Sequence, residues 1–106
     1  MGADHAPVLH CVCVYHLILE FSDYLLVNNN LIVEINGFTD NVGEKSYNQS
    51  LSERRAFAVY NLVLAKGVGA NRITFNGYGE KFPIADNYSV VGKAKNRRTE
   101  IRVIKQ

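Results

Sequence analysis

Between Leu31 and Asn76 the chain writes out a strand, a helix and a second strand in close succession, and few folds accommodate that order. Leu31-Ile32-Val33-Glu34-Ile35 is a β-branched run leading to Gly37, the composition of a buried strand. Ser46 and Gln49 have the spacing of a capping box, and Leu51, Ala58, Val59, Leu62 and Val63 follow as the apolar stripe of a helix. Gly67 supplies its stop, and Arg72-Ile73-Thr74-Phe75-Asn76 alternates as the next strand. A strand, a crossover helix and a strand in one sheet form a right-handed parallel pair, whose ligands bind beyond the carboxyl ends of the strands.

The flanks extend this unit. Leu17, Ile18, Phe21, Leu25 and Leu26 recur at helical steps before the Asn28-Asn29-Asn30 break. After Gly77 a long loop with little periodicity reaches Gly92, and Thr99-Glu100-Ile101-Arg102-Val103-Ile104 alternates as a last strand. The expected fold class is therefore α/β, an α+β sandwich with two main helices on one face of a mixed sheet, in βαβαβ-type order with a long loop before the last strand. Residues 17–106 make the domain, and 1–16 an irregular apolar segment with a candidate first strand near Val8–Val14. At 106 residues a second domain is not expected.

Charge is unevenly spread. Residues 1–44 hold six acids and no Lys or Arg, while 45–106 hold all twelve bases against four acids, a net charge of +8 that suits an anionic partner or a solvated basic face. Lys93, Lys95, Arg97 and Arg98 cluster, but no nucleic-acid motif accompanies them, so no nucleic-acid partner is expected. The apolar run Val8–Leu19 is too short to cross a bilayer, and Met1–Pro7 has no basic residue. Neither membrane insertion nor a targeting signal is expected in this chain.

Every histidine and cysteine falls within residues 5–16. Strand alternation there puts Cys11 and Cys13 on one face and His10 and His16 on the other, so buried thiols are expected rather than a metal site, and no cofactor. With no histidine beyond residue 16 there is no ready nucleophile–base pair, and no enzyme is expected.

The chemistry-bearing pair is Asp40 and Arg55, fifteen residues apart. Taken singly, Asp40 reads as a turn residue and Arg55 as a helix-surface charge. Taken together, a carboxylate that accepts from an ammonium and a guanidinium that grips a carboxylate make a receptor for a zwitterion.

Spaced in order along the chain stand Gly37-Phe38-Thr39-Asp40, Asn41-Val42-Gly43, Tyr47-Asn48, Leu51-Ser52-Glu53-Arg54-Arg55-Ala56, Gly67-Val68, Arg72-Ile73, Gly77-Tyr78-Gly79-Glu80, Pro83-Ile84-Ala85, Asn87 and Asn96-Arg97-Arg98 before Glu100-Ile101. Through these residues, roughly from 17 to 104, the chain resembles the OmpA-like C-terminal peptidoglycan-binding domains of outer-membrane porins, peptidoglycan-associated lipoproteins and flagellar stator proteins. The resemblance implies non-catalytic binding of the diaminopimelate residue of the peptidoglycan stem peptide, tethering an envelope component to the cell wall. It implies that Asp40 takes the ammonium, that Arg55 takes the carboxylate, and that Thr39, Asn48 and Arg98 line the pocket; Arg54 is a solvated neighbour. It also implies a periplasmic, outer-membrane-associated parent protein. Residues 1–16 lack the family's phenylalanine-containing first strand, and Phe38 stands where histidine is common. The alternative function is a protein–protein adaptor of the envelope, with the apolar N-terminal segment a candidate surface for homo-oligomer formation.

Overall fold

The computed structural model describes residues 15–105, with side chains over 18–104. The candidate first strand, the Cys11–Cys13 pair, His5, His10, the side chain of His16 and the proposed self-association segment lie outside the described residues.

In chain order the elements are helix α1 (Tyr15–Val27), strand β1 (Ile32–Gly37), helix α2 (Lys45–Ala65), strand β2 (Ile73–Gly77), helix α3 (Val90–Asn96) and strand β3 (Thr99–Lys105). The sheet runs β2-β1-β3, with β1 and β2 parallel and β1 and β3 antiparallel. This is the expected α+β arrangement, and the crossover through α2 makes the parallel pair.

One face of the sheet supplies the core. Val33 and Ile35 of β1, Ile73 of β2, and Ile101 and Val103 of β3 meet Ile18, Phe21 and Leu25 of α1 and Ala56, Val59 and Val63 of α2, all buried. Each full burial of such a side chain stabilises by about 1.5–3 kcal/mol. On the opposite face Glu34 and Asn36 stand beside Arg102 and Glu100 of β3, and Asn76 donates to Asn36. A sheet with an antiparallel strand tolerates such a polar face.

Two details of the helices differ from the expectation. In α2 the buried positions are Asn48, Ser52, Ala56, Val59 and Val63, not Leu51, Ala58 and Leu62. The cause lies in the sheet, where Gly37 and Gly77 are register partners beneath the helix. A Cβ on Gly37 would stand 2.3 Å from the Ser52 carbonyl oxygen, and one on Gly77 2.4 Å from the Glu53 nitrogen. Helix and sheet touch backbone to backbone at this end, so only small or hydrogen-bonded side chains fit between them. The capping box is also absent: Glu44 is the N-cap and makes no side-chain cap bond. Gln49 is drawn instead to the sheet, where its amide donates to the Gly77 carbonyl at 2.6 Å.

In α1 the inward line is Ile18, Phe21, Ser22 and Leu25, with Leu26 exposed. Ser22 satisfies its buried hydroxyl on the Ile18 carbonyl one turn back. The C-terminal end of α1 is clasped by Arg72, whose guanidinium donates to the carbonyls of Leu25, Asn28 and Leu31 at 2.7–2.9 Å. The Leu25 carbonyl is one that the helix end leaves unpaired, and the guanidinium sets a cation at the negative end of the dipole while tying it to the entry of β1.

The long loop expected to reach Gly92 is shorter, because α3 begins at Val90. Its valines point outward, so they mark no core-facing period. The buried residues of α3 are Gly92 and Asn96.

Candidate functional site

Beyond the carboxyl end of β1 the chain passes Phe38 and Thr39 to Asp40, and the loop after β2 runs alongside. The Thr39 N–H donates to the Gly79 carbonyl at 2.8 Å, and the Phe38 N–H to the Arg98 carbonyl at 2.9 Å. These bonds continue the sheet past its last ladder pair on both sides. The segment carrying Asp40 is thus fixed by backbone on two flanks.

Asp40 is a buried carboxylate, its side chain 9% exposed. Oδ1 accepts from the Val42 N–H at 3.1 Å, and Oδ2 accepts from Arg97 Nη1 at 2.7 Å. A buried carboxylate needs such compensation. Arg97 itself keeps 44% of its side chain in solvent. The Thr39 hydroxyl donates to the Asp40 carbonyl at 2.8 Å.

Asn48 joins this turn to α2. Its amide nitrogen lies within hydrogen-bond distance of the Asp40 carbonyl (3.3 Å), the Val42 carbonyl (3.0 Å) and Glu80 Oε1 (3.2 Å). Ser52, one turn later, accepts from the Gly79 N–H at 2.9 Å and donates to the Gln49 carbonyl. The polar half of α2's inner face therefore serves as a hydrogen-bonding platform under two loops, which is why apolar residues are missing from it.

Arg55 lies on α2 seven residues after Asn48, two turns along one face, and is half-buried. Among the described residues its guanidinium makes neither an ion pair nor a hydrogen bond. Thr39, Asp40 and Asn48 are thus brought into one bonded cluster, with Arg55 further along the same helix.

Arg98 sits differently. Its guanidinium lies over the Phe38 ring, 3.8 Å from the centroid, donates to Glu100 Oε2 at 2.7 Å and to the Phe82 carbonyl at 3.0 Å, and its side chain is 3% exposed. It forms one wall of a cavity of about 330 Å³ shared with Phe38, Tyr78, Phe82, Asn36 and Glu100. The arginine that meets Asp40 is Arg97, which sequence reasoning passed over. Adjacent residues entering a strand project to opposite sides, and that alternation is the signal that separates the two arginines.

Asn96 is the hub behind them. Its Oδ1 accepts from the N–H groups of Ile84 and Ala85, and its Nδ2 donates to Asn87 Oδ1 at 2.8 Å and to the Ala85 carbonyl at 3.1 Å. The 84–87 loop is thereby pinned to α3 immediately before the arginine pair.

Among the described residues no group of three His, Cys, Asp or Glu side chains is placed to hold a metal ion. No helix among them is long and apolar enough to cross a membrane. What the cluster offers is a buried, oriented carboxylate paired with the Arg97 guanidinium, an acceptor suited to a charged donor.

The chain is similar to known proteins over most of its length. The OmpA family profile matches residues 15–97. The chain is 42% identical over 89 residues to outer membrane porin F of Pseudomonas fluorescens, covering 84% of this chain and 27% of the porin. It is 40% identical over 89 residues to peptidoglycan-binding protein ArfA of Mycobacterium tuberculosis, covering 84% of this chain and 27% of ArfA. Both matches thus take in about a quarter of the relative's length. In structure it superposes on the peptidoglycan-associated lipoprotein of Burkholderia pseudomallei with a TM-score of 0.81 at 28% identity, over 85% of this chain and 76% of that one.

Proposed function

The chain belongs to the OmpA family, and from that premise we propose that it binds peptidoglycan without catalysis, gripping the diaminopimelate residue of the stem peptide and tethering an envelope component to the cell wall on the periplasmic side of the outer membrane. The observation that carries this reading is the Asp40 carboxylate, buried, held by the Val42 N–H and set at the carboxyl end of a parallel strand. The names of two similar proteins, a peptidoglycan-binding protein and a peptidoglycan-associated lipoprotein, support the polymer as ligand.

In this reading Asp40 accepts from the side-chain ammonium of diaminopimelate, and Arg55 holds the neighbouring carboxylate through two parallel hydrogen bonds. Thr39 and Asn48 fix the turn that aims Asp40, since both bond its main chain. Arg98 supports the turn from the side away from Asp40, its guanidinium over the Phe38 ring and its carbonyl receiving the Phe38 N–H. Charge-assisted bonds contribute about 1.5–3 kcal/mol each, so two ends held together give micromolar to millimolar binding after ordering costs. Weak sites suit a polymer that presents many copies.

Sacculus pull-down tests the proposal. Asp40→Ala and Arg55→Ala should each lose retention on purified peptidoglycan while keeping the native circular dichroism spectrum. Wild-type retention by a folded variant would sink it.

A further inference from the structure

Helix α3 is amphipathic the wrong way round for a core helix. Gly92 and Asn96, one turn apart, face inward. The opposite side of the helix presents Val90, Val91 and Ala94, and Val90 and Val91 are 83% and 65% exposed. At 100° per residue, Lys93 falls on one flank of this stripe and Lys95 on the other. The loop before it adds Phe82, Ile84 and Tyr88, all exposed, the last at 88%.

The outward orientation is enforced. A Cβ on Gly92 would stand 2.2 Å from the Asp86 carbonyl oxygen, so only glycine lets the helix sit this close to the loop. Ser89 caps α3 by accepting from the Gly92 N–H, and Asn96 fastens its far end to residues 84–87. The helix cannot roll its valines inward without breaking these bonds. Burying two valines is worth more to a small domain than exposing them, so their exposure calls for an external counterpart.

Charge defines that counterpart. From Phe82 to Asn96 the chain carries two bases, Lys93 and Lys95, against one acid, Asp86. Asp86 is turned back to accept from the N–H groups of Tyr88 and Ser89. The surface is therefore apolar at its crest and cationic on both flanks. A shallow depression of about 570 Å³, lined by Ile84, Val90, Val91, Ala94 and Lys95, completes it.

We propose that α3 and the 82–91 loop form a membrane-docking surface, in which Val90, Val91, Ile84 and Tyr88 enter the interfacial layer of a phospholipid bilayer while Lys93 and Lys95 meet anionic headgroups. The seven residues of α3 rise about 10 Å, too short a ridge for the repeated anchors of a helix-in-groove partner. Lysines on both sides of an apolar crest match a continuous anionic plane, into which their stems extend while their ammonium groups stay among the headgroups. An aromatic ring carrying a hydroxyl, as Tyr88 does, suits the same depth.

Vesicle co-sedimentation of the intact chain is the test. Vesicles of equimolar phosphatidylglycerol and phosphatidylcholine should pellet the protein, pure phosphatidylcholine should not, and added salt should release it. Lys93→Gln with Lys95→Gln should weaken partitioning by roughly tenfold or more. Val90→Asp with Val91→Asp should abolish it while leaving retention on peptidoglycan unchanged, which shows the variant folded. Equal pelleting with both vesicle types, or undiminished pelleting of the valine variant, would overturn the proposal. So would failure to pellet with anionic vesicles, the outcome expected if the stripe instead docks against a protein.

Discussion

Arg97 Nη1 lies 2.7 Å from Asp40 Oδ2, joining the end of α3 to the turn after β1 across fifty-seven residues of chain. The carboxylate is buried and the guanidinium only half so. Asp40 is therefore neutralised by a side chain that is itself half in solvent.

That pair should register as a measurable coupling. Arg97→Ala should lower the urea midpoint by an amount equivalent to about 1–2 kcal/mol, above an exposed ion pair and below a fully buried one. In a double-mutant cycle with Asp40→Asn the coupling should be about 1 kcal/mol. Strict additivity of the two substitutions would mean that the contact contributes nothing.

Gly37 makes a sharper prediction. Its missing side chain is what lets the Ser52 turn of α2 touch the sheet, and an added Cβ would sit 2.3 Å from a backbone oxygen that cannot step aside. Gly37→Ala should cost about 3 kcal/mol or more, as overpacking against backbone does. Because the same turn carries Asn48 and Ser52, peptidoglycan retention should fall with it. Thermal denaturation reads the first effect and pull-down the second.

The cap of α3 should respond to acid. The Asp86 carboxyl is held below the usual carboxylate range, first by the Ser89 side-chain hydroxyl and then by the N–H groups of Ser89 and Tyr88. A depressed native pKa means the folded state favours the anion. The stabilisation is therefore fully present above the unfolded value of about 3.9 and is lost as pH falls through the lower native value. Amide chemical shifts of Tyr88, Ser89 and Gly92 should stay constant from neutral pH down to the ordinary carboxylate range and move together only below it. Asp86→Asn should remove that titration.

Much of the fold was legible because its signals were local. The β-branched run at 31–35, the apolar steps at 18, 21 and 25 and the alternation at 101 and 103 each follow from burial on one face, and the parallel pair follows from the handedness of crossovers. What stayed hidden depended on contacts between distant segments. The inner face of α2 turned polar because Gly37 and Gly77, far apart in sequence, leave no room above them. Helix α3 broke the usual rule by hiding a glycine and an asparagine and showing its valines, so no core periodicity marked it. In the candidate site, Thr39, Asp40 and Asn48 were readable as a motif and the structure bonds them together. The choice between Arg97 and Arg98 as Asp40's neighbour was not, because it turns on which side of the entering strand each residue leaves.

In the proposed function the domain recognises a side chain ending in both an ammonium and a carboxylate. Titration by isothermal calorimetry with two muropeptides, identical except that one carries diaminopimelate and the other lysine at the third position, tests it most directly. Lysine keeps the ammonium for Asp40 but offers nothing to Arg55. Saturable binding of the diaminopimelate form is expected, with at least tenfold weaker binding of the lysine form and an Arg55→Ala variant that no longer tells them apart. Equal affinity of the wild-type protein for both muropeptides would contradict it.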